Sequence, residues 1–148
     1  MGIVVRDIEK ALGFYSEVLG WKLPSKGPYS KILHMDVPGQ RMKYAMLLAG
    51  SRFVELIEPE EGTWLSYLEA KGEGAICELC VLVDDIDEAI CMLEQRGLVQ
   101  MDWSNKRLSE KFMTTPSGSK CFYLPIKETL GTLIEVLQRP AKKIDERM

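Results

Sequence analysis

The sequence predicts an α+β fold built from two βαβββ modules in tandem, related by pseudo-twofold symmetry. Three observations predict it. A strand-then-helix phrase occurs twice, the second copy offset by 78 positions from the first. Each copy is followed by apolar, strand-like runs separated by turn residues. Each half then closes on a short apolar run with a single glutamate at its centre, "FVELIEP" (53–59) and "LIEVLQRP" (133–140).

The repeated phrase is "GIVVRDIEKALGFYSEVLG" (2–20) and "CVLVDDIDEAICMLEQRGL" (80–98). Asp7 matches Asp85, Ile8 matches Ile86 and Ala11 matches Ala89, the mark of one supersecondary unit used twice. Asp7 and Asp85 stand where an N-cap accepts backbone N–H groups, with acids following in the first turn, which suits the helix dipole. Ile8, Ala11, Leu12, Tyr15 and Leu19 recur at three- and four-residue steps, as do Ile86, Ala89, Ile90 and Leu93. Gly20 and Gly97 are placed to stop the two helices.

After the first helix, "KILHMDV", "KYAMLLA" and "FVELIE" read as strands. After the second come a weaker run around "LVQMDW", then "KFMTTP", "KCFYLP" and "GTLIEVLQ". The chain therefore reads as a single domain over 1–148: a first module over 1–59, a connector with a short helix over 60–75, a second module over 76–140 and a charged tail over 141–148. Thr63 is the expected cap of the connector helix, ahead of Trp64, Leu65, Tyr67 and Leu68.

With 148 residues and 46% hydrophobic content, the chain is long enough to bury a proper interior. Its net charge of −3, with Lys and Arg scattered among acids, excludes the basic stripe of a nucleic-acid protein. No apolar stretch reaches the length of a membrane span, and the start is amphipathic rather than a leader, so a cytoplasmic protein with small-molecule partners is expected. Cys77, Cys80, Cys91 and Cys121 all lie in apolar segments and read as reduced core residues. One C-x-x-C without a second pair does not make a zinc site. Trp21, Trp64, Trp103 and the methionines at 35, 42, 46 and 113 read as core residues that could alternatively line a pocket.

Strand alternation puts Phe53, Glu55 and Ile57 on one face, and likewise Leu133, Glu135 and Leu137. Glu78 interrupts the apolar start of the second copy. A lone carboxylate in an apolar strand costs several kcal/mol unless something compensates it. One compensation is pairing with Lys or Arg. Repeated carboxylates facing one cavity can instead hold a hard divalent cation or act as general bases.

The βαβββ repeat, the two strand-to-helix phrases and the closing "GTLIEVLQ" resemble the vicinal oxygen chelate superfamily, which includes glyoxalase I, extradiol dioxygenases, bleomycin-resistance proteins and methylmalonyl-CoA epimerase. The texture of "FVELIEP", "YLEAKGEG" and "KETLGTLIEV" is similar to methylmalonyl-CoA epimerase-like and lactoylglutathione lyase-related members. The resemblance implies metal ligands at the first strand and at the middle of the last strand of each copy, which by position are Glu55, Glu78 and Glu135. It also implies a divalent cation, Mg, Mn, Ni or Zn, and a homodimer.

The chain departs from the family's pattern in two places. Glu78 stands where metal-binding relatives usually have histidine, and the matching place in the first copy falls eight residues before Ile8, upstream of Met1. The sole histidine, His34, lies in "KILHMDV". The expectation is a glyoxalase- or epimerase-like lyase or isomerase with a carboxylate-lined cavity, in which Glu135 or Glu55 removes a proton alpha to a carbonyl. The alternative is a non-catalytic small-molecule binder of the bleomycin-resistance type with a degenerate metal site.

Overall fold

A computed structural model describes residues 1–115 and 117–141. The chain forms two compact units, Met1–Leu79 and the residues from Cys80 onward. The charged tail expected over 141–148 lies outside the described residues from position 142 on.

The first unit contains β1 (Gly2–Val4), α1 (Ile8–Leu19), β2 (Leu33–Val37), β3 (Gln40–Ala49), β4 (Arg52–Glu61), α2 (Thr63–Lys71) and the start of β5 (Ile76–Leu82). Its strands run in the order β2-β3-β4-β1-β5. β1 is parallel to β4 and antiparallel to β5, while β2, β3 and β4 form an antiparallel meander. The α1 signals act as expected: Asp7 caps the helix by accepting the Lys10 N–H at 2.9 Å, and Gly20 ends it in the left-handed region at φ 68°.

α1 lays its apolar stripe over Ile3, Val5, Ala45, Leu47, Val54 and Leu56, with Ile8 fully buried among them. Each such aliphatic side chain contributes about 1.5–3 kcal/mol by leaving water. Trp21 stacks on Tyr15 with ring centroids 5.4 Å apart at the margin of this core. Met42 and Trp64 are buried too.

The connector does carry a helix, but Thr63 is its first residue rather than its cap. Gly62 is the N-cap, in the left-handed region at φ 97° with no side-chain cap bond. Gln40, fully buried at the start of β3, does that work from another strand, its Oε1 accepting the Thr63 N–H at 3.0 Å.

The second unit holds the end of β5, α3 (Ile86–Glu94), β6 (Met113–Thr114), β7 (Lys120–Tyr123) and β8 (Leu133–Gln138). β6, β7 and β8 pair antiparallel in that order, and the Val83 N–H donates to Leu137 O at 2.9 Å where β5 ends. Asp85 caps α3 through the Asp87 and Glu88 N–H groups. Ile86, Ile90, Phe122 and Val136 form the core beneath it. The weak run around "LVQMDW" contributes only isolated bridges of Met101 to Arg107 and Tyr123. Asp102 folds the following loop on itself by accepting the N–H groups of Ser104 and Lys106.

The fold is thus α+β with a βαβββ module in each half. Two of the four cysteines depart from the expected core placement. Cys77 and Cys121 are buried, whereas Cys80 and Cys91 are exposed. α3 buries Ile86 and Ile90, so Cys91, one position further round, turns outward; β5 is exposed at every residue after Glu78.

Candidate functional site

Strand alternation divides β4 cleanly. Val54 and Leu56 point into the core under α1, which leaves Phe53, Glu55 and Ile57 on the opposite face. Cross-strand register fixes the neighbours on that face: on β3, Met46 lies opposite Glu55 and Tyr44 opposite Ile57. On the other side of β4, Glu55 is opposite Gly2 of β1, and Gly2 is in turn opposite Glu78 of β5. Glu55, Gly2 and Glu78 therefore form one row across three strands, with the two carboxylates flanking a residue that has no side chain.

Glycine is what allows this. A Cβ at position 2 would stand 2.7 Å from Glu78 Cγ and 3.2 Å from both Glu78 Oε1 and Cys77 Sγ. The Glu78 side chain occupies the space a side chain on Gly2 would need. Two groups beside the row report its charge. The Tyr44 phenol is held above its ordinary pKa by partial burial, then by the Glu55 charge and by Tyr29. The Cys77 thiol is pushed well up by burial, then by Glu78 and Glu55. A thiol so disfavoured as thiolate is not a nucleophile.

The expectation that the strand glutamates sit at buried centres is met by only one of them. Glu78 is 5% exposed, whereas Glu55 and Glu135 are half-buried, because each lies on the strand face turned away from its helix. In the second unit, Val136 enters the core under α3 and Glu135, next to it, takes the other face of β8, opposite Tyr123. His34 is exposed and pairs across the strands with Lys43, on the opposite face of β3 from Tyr44. It is not part of the Glu55 row.

Sequence reasoning found Glu55 and Glu78 but missed Gly2 and Tyr44. A signal for Tyr44 was present, since it alternates with Met46 in "KYAMLLA". Nothing in the sequence marked Gly2, because its role depends on the register of two other strands.

Among the described residues, no three His, Cys, Asp or Glu side chains gather so as to hold a metal ion. The Glu55 and Glu78 pair offers carboxylates alone. Without imidazole or thiolate it does not suit Zn or Ni, and two carboxylates are a thin shell even for Mg or Mn. This donor set does not fit the cation that the family resemblance implies, so the chemistry is derived from the carboxylates themselves.

The fold belongs to a known class. Residues 1–112 match the glyoxalase/bleomycin resistance protein/dioxygenase superfamily, and the chain belongs to that superfamily. It is 24% identical over 140 residues to the mitochondrial methylmalonyl-CoA epimerase of Homo sapiens, covering 93% of this chain and 71% of that relative. It is 28% identical over 138 residues to the uncharacterized protein YwbC of Bacillus subtilis, covering 93% of this chain and 94% of that one. The crystal structure of methylmalonyl-CoA epimerase from Mycobacterium tuberculosis superposes with a TM-score of 0.72 at 22% identity, over 95% of this chain and 86% of that chain, a likeness of fold.

Proposed function

We propose that this chain is an epimerase- or glyoxalase-like enzyme, an isomerase or lyase, that moves a proton at the carbon alpha to a carbonyl. The observation that carries the reading is the row Glu55, Gly2, Glu78. Two strand spacings separate the glutamate backbones by roughly 10 Å. Their side chains can then address a substrate carbon from two sides. One glutamate, as the carboxylate, takes the alpha proton, and the electron pair passes to the carbonyl oxygen as an enolate. The other glutamate, starting as the protonated carboxyl group, gives its proton to the opposite face and is left as the carboxylate. Tyr44, kept as the neutral phenol, is an O–H donor on the same sheet face. Glu135, which holds in β8 the place that Glu55 holds in β4, is a separate candidate base.

The names of the relatives suggest a 2-methyl-branched acyl-CoA thioester as substrate class, and a hemithioacetal is the other class the superfamily suggests. The homodimer and the cytoplasmic setting expected above complete the proposal.

The test is deuterium exchange at the alpha carbon in D₂O with both substrate classes. Wild type should exchange with one of them, and Glu55→Gln or Glu78→Gln should lose on the order of 100-fold or more. Exchange that persists in both variants would overturn the assignment; chelator-treated enzyme should exchange as well as untreated, and a loss on chelation would show that a cation is needed. The non-catalytic binder is the second reading, favoured by the donor set that lacks imidazole. Tight ligand binding without exchange in wild type would establish it.

A further inference from the structure

The side of the second unit that carries α3 has an apolar surface that the proposed chemistry does not use. Between α3 and the strands lies a cavity of about 330 Å³, lined by Val81, Val83, Met92, Leu93, Ile134 and Arg96 among others. Val81 and Met92 are 48% and 49% exposed. Large apolar side chains left half in water beside a cavity mark a surface that something covers.

The charges on α3 say what covers it. Glu88, Met92 and Arg96 are spaced four apart, and they form one stripe along the helix and the turn that follows its end at Glu94, where the Arg96 N–H donates to Leu93 O. An acid stands at one end, a base at the other and a half-exposed apolar side chain at the centre. Arg96 Nη1 donates to Met92 O at 2.9 Å, which holds the guanidinium at its end of the stripe while the residue remains exposed. This pattern is its own complement under a twofold axis. Turned antiparallel on a second α3, Met92 meets Met92 of the partner subunit, and Glu88 comes to Arg96 of the partner subunit, twice over.

We propose that this face is the contact between two copies of the chain, formed by antiparallel packing of α3 on α3 about Met92 with Glu88 and Arg96 paired reciprocally. It names the surface for the homodimer carried above. It does not rest on the proton chemistry, so a protein that shows no exchange still tests it.

Sedimentation equilibrium of the full chain is the experiment, with far-UV circular dichroism to confirm that each variant is folded. Wild type should be a dimer and Met92→Glu a monomer. Glu88→Arg and Arg96→Glu should each raise the dissociation constant by roughly tenfold or more, since each creates two like-charge contacts. An equimolar mixture of those two single variants should recover wild-type affinity as a heterodimer, because both pairs are then attractive. Glu88→Arg leaves the core untouched and keeps the test open if Met92→Glu fails to fold. A monomeric wild type, single charge variants that dimerise as wild type does, or a mixture no tighter than its components would each overturn the proposal. So would a folded Met92→Glu with the wild-type constant, as expected if a small molecule fills the cavity instead.

Discussion

The carboxylate of Glu58 accepts the backbone N–H of Ile8 at 2.8 Å, tying the last strand of the first module to the start of its helix. The second module does the same with a neutral group: Gln138 Oε1 accepts the Ile86 N–H, also at 2.8 Å. The first-turn N–H groups of a helix have no intrahelical acceptor, and Asp7 and Asp85 supply only part of what is missing. Glu58→Ala and Gln138→Ala should each cost about 1–2 kcal/mol in urea unfolding. Glu58→Gln, which keeps the acceptor, should cost less than Glu58→Ala. Glu58 also holds Lys43 at 3.1 Å, and its hydrogen bond and charge raise the Lys43 pKa, so the cost of Glu58→Gln relative to wild type should shrink in high salt, while the gap between Glu58→Gln and Glu58→Ala should not.

Gly2 makes the second prediction. The Glu78 Cγ that a new Cβ would approach to 2.7 Å is near the backbone and cannot simply swing aside. Gly2→Ala should destabilise by about 1–3 kcal/mol, the usual cost of overpacking. Its effect on alpha-proton exchange should exceed what the fraction unfolded explains, because Glu78 must leave the row. Exchange measured well below the melting temperature, beside a melting curve, separates the two effects.

Much of this architecture was legible because it is written in local patterns. Asp7 and Asp85 announced their helices, and the glutamates at 55 and 135 announced the last strands by interrupting apolar runs. What was not legible depends on contacts distant in sequence. Thr63 looks like a cap, yet its N–H is satisfied by Gln40 from another strand, so Gly62 could take the cap position. Cys80 and Cys91 sit in apolar phrases, but strand and helix faces are decided by packing, and both turn outward. Gly2 acquires meaning only through pairing with β4 on one side and β5 on the other.

The thiols supply a third prediction. Cys80 and Cys91 are exposed, whereas Cys77 and Cys121 are buried, with burial, Glu78 and Glu55 all holding Cys77 in its thiol form. Native protein treated with iodoacetamide near pH 8 should label at Cys80 and Cys91 first, and peptide mass mapping should find Cys77 unmodified until the protein unfolds. Early modification of Cys77 would contradict the packing around Gly2.

Tyr44 gives a pH dependence whose sign follows from its surroundings. Burial, Glu55 and Tyr29 all disfavour the phenolate, so its folded pKa lies above the ordinary 10.0 while in the unfolded chain it does not. The stability that depends on the neutral phenol is fully present below pH 10 and is lost as the pH rises from there through the folded value. Tyr44→Phe should therefore unfold less readily than wild type above pH 10 and differ little in this respect at neutral pH. In a spectrophotometric titration of tyrosinate at high pH, Tyr44→Phe should lose a late-titrating component. Glu55→Gln, which removes the second contribution, should move that component toward lower pH while the larger effect of burial remains. An unchanged titration in Glu55→Gln would mean that Glu55 and Tyr44 do not share the open face of the sheet.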